Sequence, residues 1–241
     1  MELNKTIWTA HDGQLFLAYL ETLSNREKQA WSKNILNTKL DVLVIPTKTI
    51  QMIASKILEG NYQSFLELQL FINYETIAIY GMIVSKIPDF KTMKYFLDIY
   101  IQVMENWAHC DLLNFKINDS NINDFILLSE EYVKSSKVFI RRLGLFILLL
   151  LIRDKKYLNY ALETLSLFEN EVEYYVIMMG GWLLSECIIR YKEEALNYLK
   201  QQTINPKIVN KGIQKCRESR RLNQEEKDSL LIFKIKMKKR L

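Results

Sequence analysis

The chain has 241 residues, 49% of them apolar, and a formal net charge of +5, which suits one domain or one short solenoid with a sizeable core. Seven glycines and three prolines leave little room for β-turns or disordered linkers, and two distant histidines, His11 and His109, argue against a His-rich metal centre. Cys110, Cys187 and Cys216 form no C-x-x-C pair, so they read as free thiols of a reducing cytoplasm, and neither metal nor cofactor is expected.

The opening MELNKTIWTAHDGQ has no long apolar stretch after its charges and does not read as a secretory signal. Residues 1–60 are expected to form two or three helices, with Pro46 opening the one that runs to Leu58. TKLDVLVIP is the one β-like run, and it is short. From 61 to 221 the pattern predicts helix pairs. Five equivalent helices begin near Tyr74, Asn106, Lys137, Glu173 and Asn205, at spacings of 32, 31, 36 and 32 residues. Shorter amphipathic stretches such as FKTMKYFLDIYIQVM and KKYLNYALETLSLF lie between them. A period in the thirties with two helices per unit predicts an all-α chain, an α-solenoid in which each unit's apolar face is covered by its neighbours. Asp89, Ser135-Ser136 and Asn205-Pro206 stand where helix N-caps are needed. KINDSNIND, from Lys116 to Asp124, reads as a polar linker. Leu143–Ile152 is the most apolar run, too short to span a bilayer and bracketed by Arg141, Arg142 and Arg153, so it reads as a buried helix and no membrane is expected. Residues 222–241 read as a basic C-terminal helix or tail. Charge is concentrated at that end: Lys207 to Leu241 holds twelve Lys or Arg against four Asp or Glu, which leaves the rest mildly acidic. An anionic partner docked near this end is one reading, and a solvated tail is the other.

Counting from the start of each inner helix places Asp111 and Arg142 at the same position, with Trp107 one turn before Asp111 and Trp182 one turn from the equivalent position. A regular solenoid puts these four on one concave surface, where two aromatics, a carboxylate and a guanidinium converge. Each has a plainer role available. Either tryptophan can be core, and Asp111 with Arg142 can be a structural ion pair. His109-Cys110-Asp111 is rejected as a nucleophilic triad, because consecutive helix residues point apart.

NWAHCD at 106–111, FIRRLGL at 139–145, YYVIMMGGWLLSE at 174–186 and NKGIQKCRESRR at 210–221 occur in an order that resembles the HEAT-like-repeat DNA alkylation repair proteins, the AlkD-type DNA glycosylases. YETIAIYGMIV at 74–84 extends the likeness more weakly. The resemblance implies a concave DNA-binding face, with Trp107, Asp111 and Trp182 at the lesion and Arg142 gripping the backbone beside it. Arg141 is the neighbouring candidate for that grip. On the helix of KGIQKCRESRR, Lys211, Lys215 and Arg221 are candidates for phosphates, while Arg217 faces elsewhere. The implied reaction is hydrolysis of the glycosidic bond of cationic N3- or N7-alkylpurines, with no metal. A fixed carboxylate stabilises the oxocarbenium-like sugar and positions a water. Aromatic faces attract the cationic base by roughly 0.5–2 kcal/mol each. The implied partner is alkylated duplex DNA, bound by a cytoplasmic monomer. Two features depart from the family pattern: the segment before the first repeat matches poorly, and Met178-Met179-Gly180-Gly181 stands where polar or basic residues are expected. Close helix packing is the expected reason for the glycine pair. A DNA-binding member without chemistry and a protein-interaction scaffold stay as alternatives.

Overall fold

A computed structural model describes residues 1–201 and 203–236, and among these every regular element is helical. The sequence reads as a single domain; contacts divide the chain into two compact units, Met1–Asn118 and Asp119–Leu241.

The first unit holds α1 (Ala10–Thr22), α2 (Gln29–Leu36), α3 (Thr47–Leu58), α4 (Tyr62–Glu67), α5 (Tyr74–Val84), α6 (Phe90–Val103) and α7 (Trp107–Asp111). Asn73 caps α5, Asp89 caps α6 and Asn106 caps α7, each side chain accepting from free amides of the first turn. α5 is buried along nearly its whole length, against α3 on one side and α6 on another. Close contact with α6 depends on Gly81, where a Cβ would stand 2.5 Å from the buried ring of Tyr100.

TKLDVLVIP forms no strand. Its extended backbone finds a side-chain partner instead of a neighbouring strand. The amides of Leu43, Val44 and Ile45 donate to the carboxylate of Glu75, in the first turn of α5, at 2.9, 2.7 and 3.3 Å. Burial pushes the Glu75 carboxyl up, against the downward pull of those amides. Val44 adopts φ 61°, a left-handed conformation rare for a β-branched residue, and this turns successive amides toward one oxygen pair.

The second unit holds α8 (Ile122–Val133), α9 (Val138–Leu151), α10 (Leu158–Ser166), α11 (Tyr174–Arg190), α12 (Lys192–Gln201), α13 (Pro206–Glu218) and α14 (Gln224–Ser229). α11 packs against α9 and α13, and α8 packs against α9. Leu143–Ile152 lies within and just beyond α9 and is almost wholly buried. Asn205 caps α13 and Pro206 opens it, as the sequence predicts. Ser135 and Ser136 do not cap α9. Lys137 holds the cap position without a side-chain bond, and the two serine carbonyls accept from Arg141 Nη1 at 2.9 Å each. The linker expected over Lys116–Asp124 ends earlier, at Asn121, the N-cap position of α8, and Ile122–Asp124 belong to the helix. In the C-terminal region, α14 and a 3-10 turn at Leu230–Phe233 precede an extended segment over 234–236, and residues 237–241 lie outside the described residues. No helix among the described residues is long and apolar enough to cross a membrane.

Candidate nucleic-acid interface

In the first unit the candidate chemistry sits on α7, a helix of five residues. The sequence pattern NWAHCDLLNF reads as a longer inner helix, but the chain leaves the helix at Leu112. In the non-helical segment that follows, Leu113 and Phe115 are buried while Asn114 between them is exposed. The Asn114 amide, freed from the helical ladder, donates to Ser85 Oγ at 3.0 Å.

His109 anchors this short helix. Its ring is fully buried, stacks on Tyr74 at 5.0 Å and places Nε2 3.3 Å from the Tyr74 carbonyl. A carbonyl only accepts, so Nε2 carries the proton, and Nδ1 accepts from Asn106 Nδ2 at 3.3 Å. Burial lowers the His109 pKa to about 4. The His109 carbonyl accepts from the Tyr100 hydroxyl at 2.7 Å. Trp107 is half-buried. Its ring packs against the cluster of Leu36, Val42 and Ala108, and Nε1 donates to the Ile35 carbonyl at 3.2 Å, near the C-terminal end of α2. Trp107 is therefore partly core, and its ring is fixed. Asp111, four residues on, shares its face and is partly exposed.

In the second unit Trp182 lies on α11 and the candidate lysines lie on α13. Gly180 and Gly181 bring these helices together. A Cβ on Gly180 would stand 2.9 Å from Ile208, and one on Gly181 would stand 2.6 and 2.7 Å from Cγ and Cβ of Lys211. The glycine pair is thus the close-packing feature expected from the sequence. It lets α13 supply the positive charge that α11 lacks. The Lys215 ammonium lies 5.8 Å from the centroid of Trp182, within cation–π range, and Lys211 donates to Gln214 at 2.8 Å. One face of Trp182 therefore already carries a cation.

The arginines are more engaged. Arg141 reaches Glu171 through Nε and Nη2 at 2.8 and 3.3 Å, in addition to the two serine carbonyls. Arg142 is 5% exposed and donates through Nη1 to the Tyr175 carbonyl at 2.6 Å. Arg221 pairs with Glu186, which also holds Arg190 at 3.2 Å. A phosphate would have to displace protein partners to reach Arg141 or Arg221, and Arg142 presents little surface. Arg217 and Arg220 are exposed.

Among the described residues, no group of three or more His, Cys, Asp or Glu is placed to hold a metal ion. No disulfide forms among the described residues; all three cysteines are buried thiols, and burial raises Cys187 and Cys216 to about 12, which keeps them protonated and unreactive. The chain matches no protein-family model, no curated protein and no solved structure. The likeness to DNA alkylation repair proteins therefore rests on the motifs at 74–84 and 106–221.

The sequence reading missed two features. One is the Glu75 clamp, whose only signal is an acidic residue in the first turn of a helix. The other is a basic groove on the second unit, formed by Lys207 with Lys234 and Lys236, which are remote from it in sequence.

Proposed function

We propose that this chain is a HEAT-like-repeat DNA repair protein that binds duplex DNA as a monomer and hydrolyses the glycosidic bond of cationic N3- or N7-alkylpurines. The observation that carries the reading is α7, where an anchored stub presents a fixed half-buried tryptophan and a partly exposed carboxylate one turn apart. Alkylation at N3 or N7 gives the base a positive charge and weakens its bond to the sugar. As that bond breaks, positive charge develops on the sugar, where the Asp111 carboxylate stabilises it and orients the attacking water. Trp107 offers an electron-rich face to the cationic base. The α13 lysines supply phosphate contacts without reading sequence. Further support comes from the helix starts at Tyr74, Trp107, Val138, Tyr174 and Pro206, which keep the solenoid period.

Base release from duplex DNA carrying N7-methylguanine and N3-methyladenine tests the reading, with Asp111→Asn as the control. Wild type is expected to release free base, and the variant to lose release while keeping its fold and DNA affinity. Undiminished release by Asp111→Asn, or none by folded wild type, overturns it. A second reading, DNA binding without chemistry, is favoured by Trp182, one face of which already carries the Lys215 ammonium where a cationic base would have to stack. It expects salt-sensitive duplex binding and no base release.

A further inference from the structure

We propose that the groove between the N-terminal half of α11, α13 and the segment 234–236 binds single-stranded nucleic acid, with bases against Tyr174 and phosphates on Lys207, Lys211, Lys234 and Lys236. The groove encloses about 620 Å³, and no Asp or Glu is among its lining residues. That volume falls in the range of sites that hold compact ligands of one or a few rings.

Its cations are available. Lys207, Lys234 and Lys236 are exposed and form no ion pair among the described residues, and Lys211 bonds only to neutral Gln214. Glu169 and Glu171 line the adjoining hollow beside Lys207 and Lys236, and Arg141 already holds Glu171, so the groove itself presents four lysines and no carboxylate, a positive lining that suits a polyanion. The far wall is held in place by Asn210. Its amide donates to the Ile235 carbonyl at 2.8 Å and its carbonyl accepts from the Ile235 amide at 2.9 Å. With Ile235 pinned, the alternation of an extended backbone puts Lys234 and Lys236 on a common side.

Charge alone would suit any polyanion; the aromatic ledge selects among them. Tyr174 is 62% exposed at the mouth of the groove, and its ring meets Tyr175 edge-on at 5.2 Å. Tyr175 in turn packs against Phe139 at 5.4 Å, so the exposed ring stands on a supported aromatic base. Met178 adds a polarisable apolar surface beside it. Stacking platforms bordered by cations are how proteins hold unpaired strands, whose bases present free faces. A duplex keeps those faces stacked inside. The groove shares only its class of ligand with the glycosylase reading, and it stands on different residues apart from Lys211.

Fluorescence anisotropy with labelled oligothymidylate tests the inference on the full chain. Oligothymidylate is expected to bind in a salt-dependent manner, and more tightly than polyglutamate of equal length. Tyr174→Ala is expected to weaken it roughly tenfold, while Tyr174→Phe, which keeps the ring, holds the wild-type affinity. The double variant Lys234→Ala, Lys236→Ala is expected to weaken binding and flatten its salt dependence. Thermal melting checks that the exposed-site variants remain folded. Failure to bind oligothymidylate overturns the inference, as does wild-type affinity in Tyr174→Ala or equal binding of polyglutamate, which would mark an acidic-peptide site. Base release is unaffected by Tyr174→Ala, so either reading can fail without the other.

Discussion

His109 is neutral in the folded chain because its ring is buried beneath Tyr74 and accepts at one nitrogen while donating at the other. Its pKa falls from 6.5 to about 4 on folding. The unfolded chain therefore takes up this proton first as the pH drops. The stability due to His109 is complete above about pH 6.5 and is lost between there and about pH 4. His109→Gln removes that titration. The stability difference between neutral pH and about pH 4.5 should shrink by ~2–3 kcal/mol relative to wild type, as read from urea unfolding at each pH. An unchanged difference would mean that the ring is accessible to protons in the native state. The same residue shows what sequence patterning conceals. His109 lies next to Cys110 and Asp111 and resembles catalytic machinery, yet its partners are all within the first unit and its role is to hold α7 beneath Trp107 and Asp111.

Glycines set the spacing between helices. At Gly144 a Cβ would lie 2.8 Å from the Val133 amide and 3.1 Å from the Ser129 carbonyl, both backbone atoms of the neighbouring α8 region. Backbone yields less readily than a side chain, so Gly144→Ala should push α9 away from α8. Overpacking of this kind costs about 1–3 kcal/mol, offset by about 1 kcal/mol of gained helix propensity, so a net loss of up to about 2 kcal/mol is expected in urea unfolding. Gly180→Ala meets only the side chain of Ile208 and should cost less. Equal stability of the two variants would count against a rigid α8–α9 contact. The helices themselves were largely legible in sequence, from their apolar periodicity and, at several starts, from a capping residue before the apolar run. Asn106 and Asn205 mark α7 and α13 in this way. The end of α7 was not legible, since LLNF fits a helical period and an alternating one equally well. A long-range partner decides for the non-helical form: the Asn114 amide bonds to Ser85 Oγ, which no local pattern announces.

For the molecule as a whole, the uneven charge is the property with the clearest functional consequence. The stretch from Lys207 onward carries the positive charge, and α13 displays much of it beside Trp182 and the basic groove. If the chain binds duplex DNA as proposed, its affinity should fall steeply with salt. Replacing Lys211 or Lys215 with Ala should reduce the slope of log K against log salt by about one each, measured by anisotropy titration across ionic strengths. A slope unchanged in both variants would place the phosphate contacts elsewhere.

By itself the sequence determined the helical class, the starts of the principal helices and the concentration of basic residues at the C-terminal end. These depend on local periodicity, capping chemistry and composition, which neighbouring residues carry. Tertiary structure alone decided which cations are available. Arg141 and Arg221 look like phosphate ligands in sequence, but Glu171 and Glu186, on distant stretches of chain, hold them. Lys207, Lys234 and Lys236 read in sequence only as part of a basic C-terminal stretch, yet they line one groove because Asn210 pins Ile235 to α13. Whether a charge is paired depends on which residues the fold brings within reach of it, and that is a property of packing rather than of any local pattern.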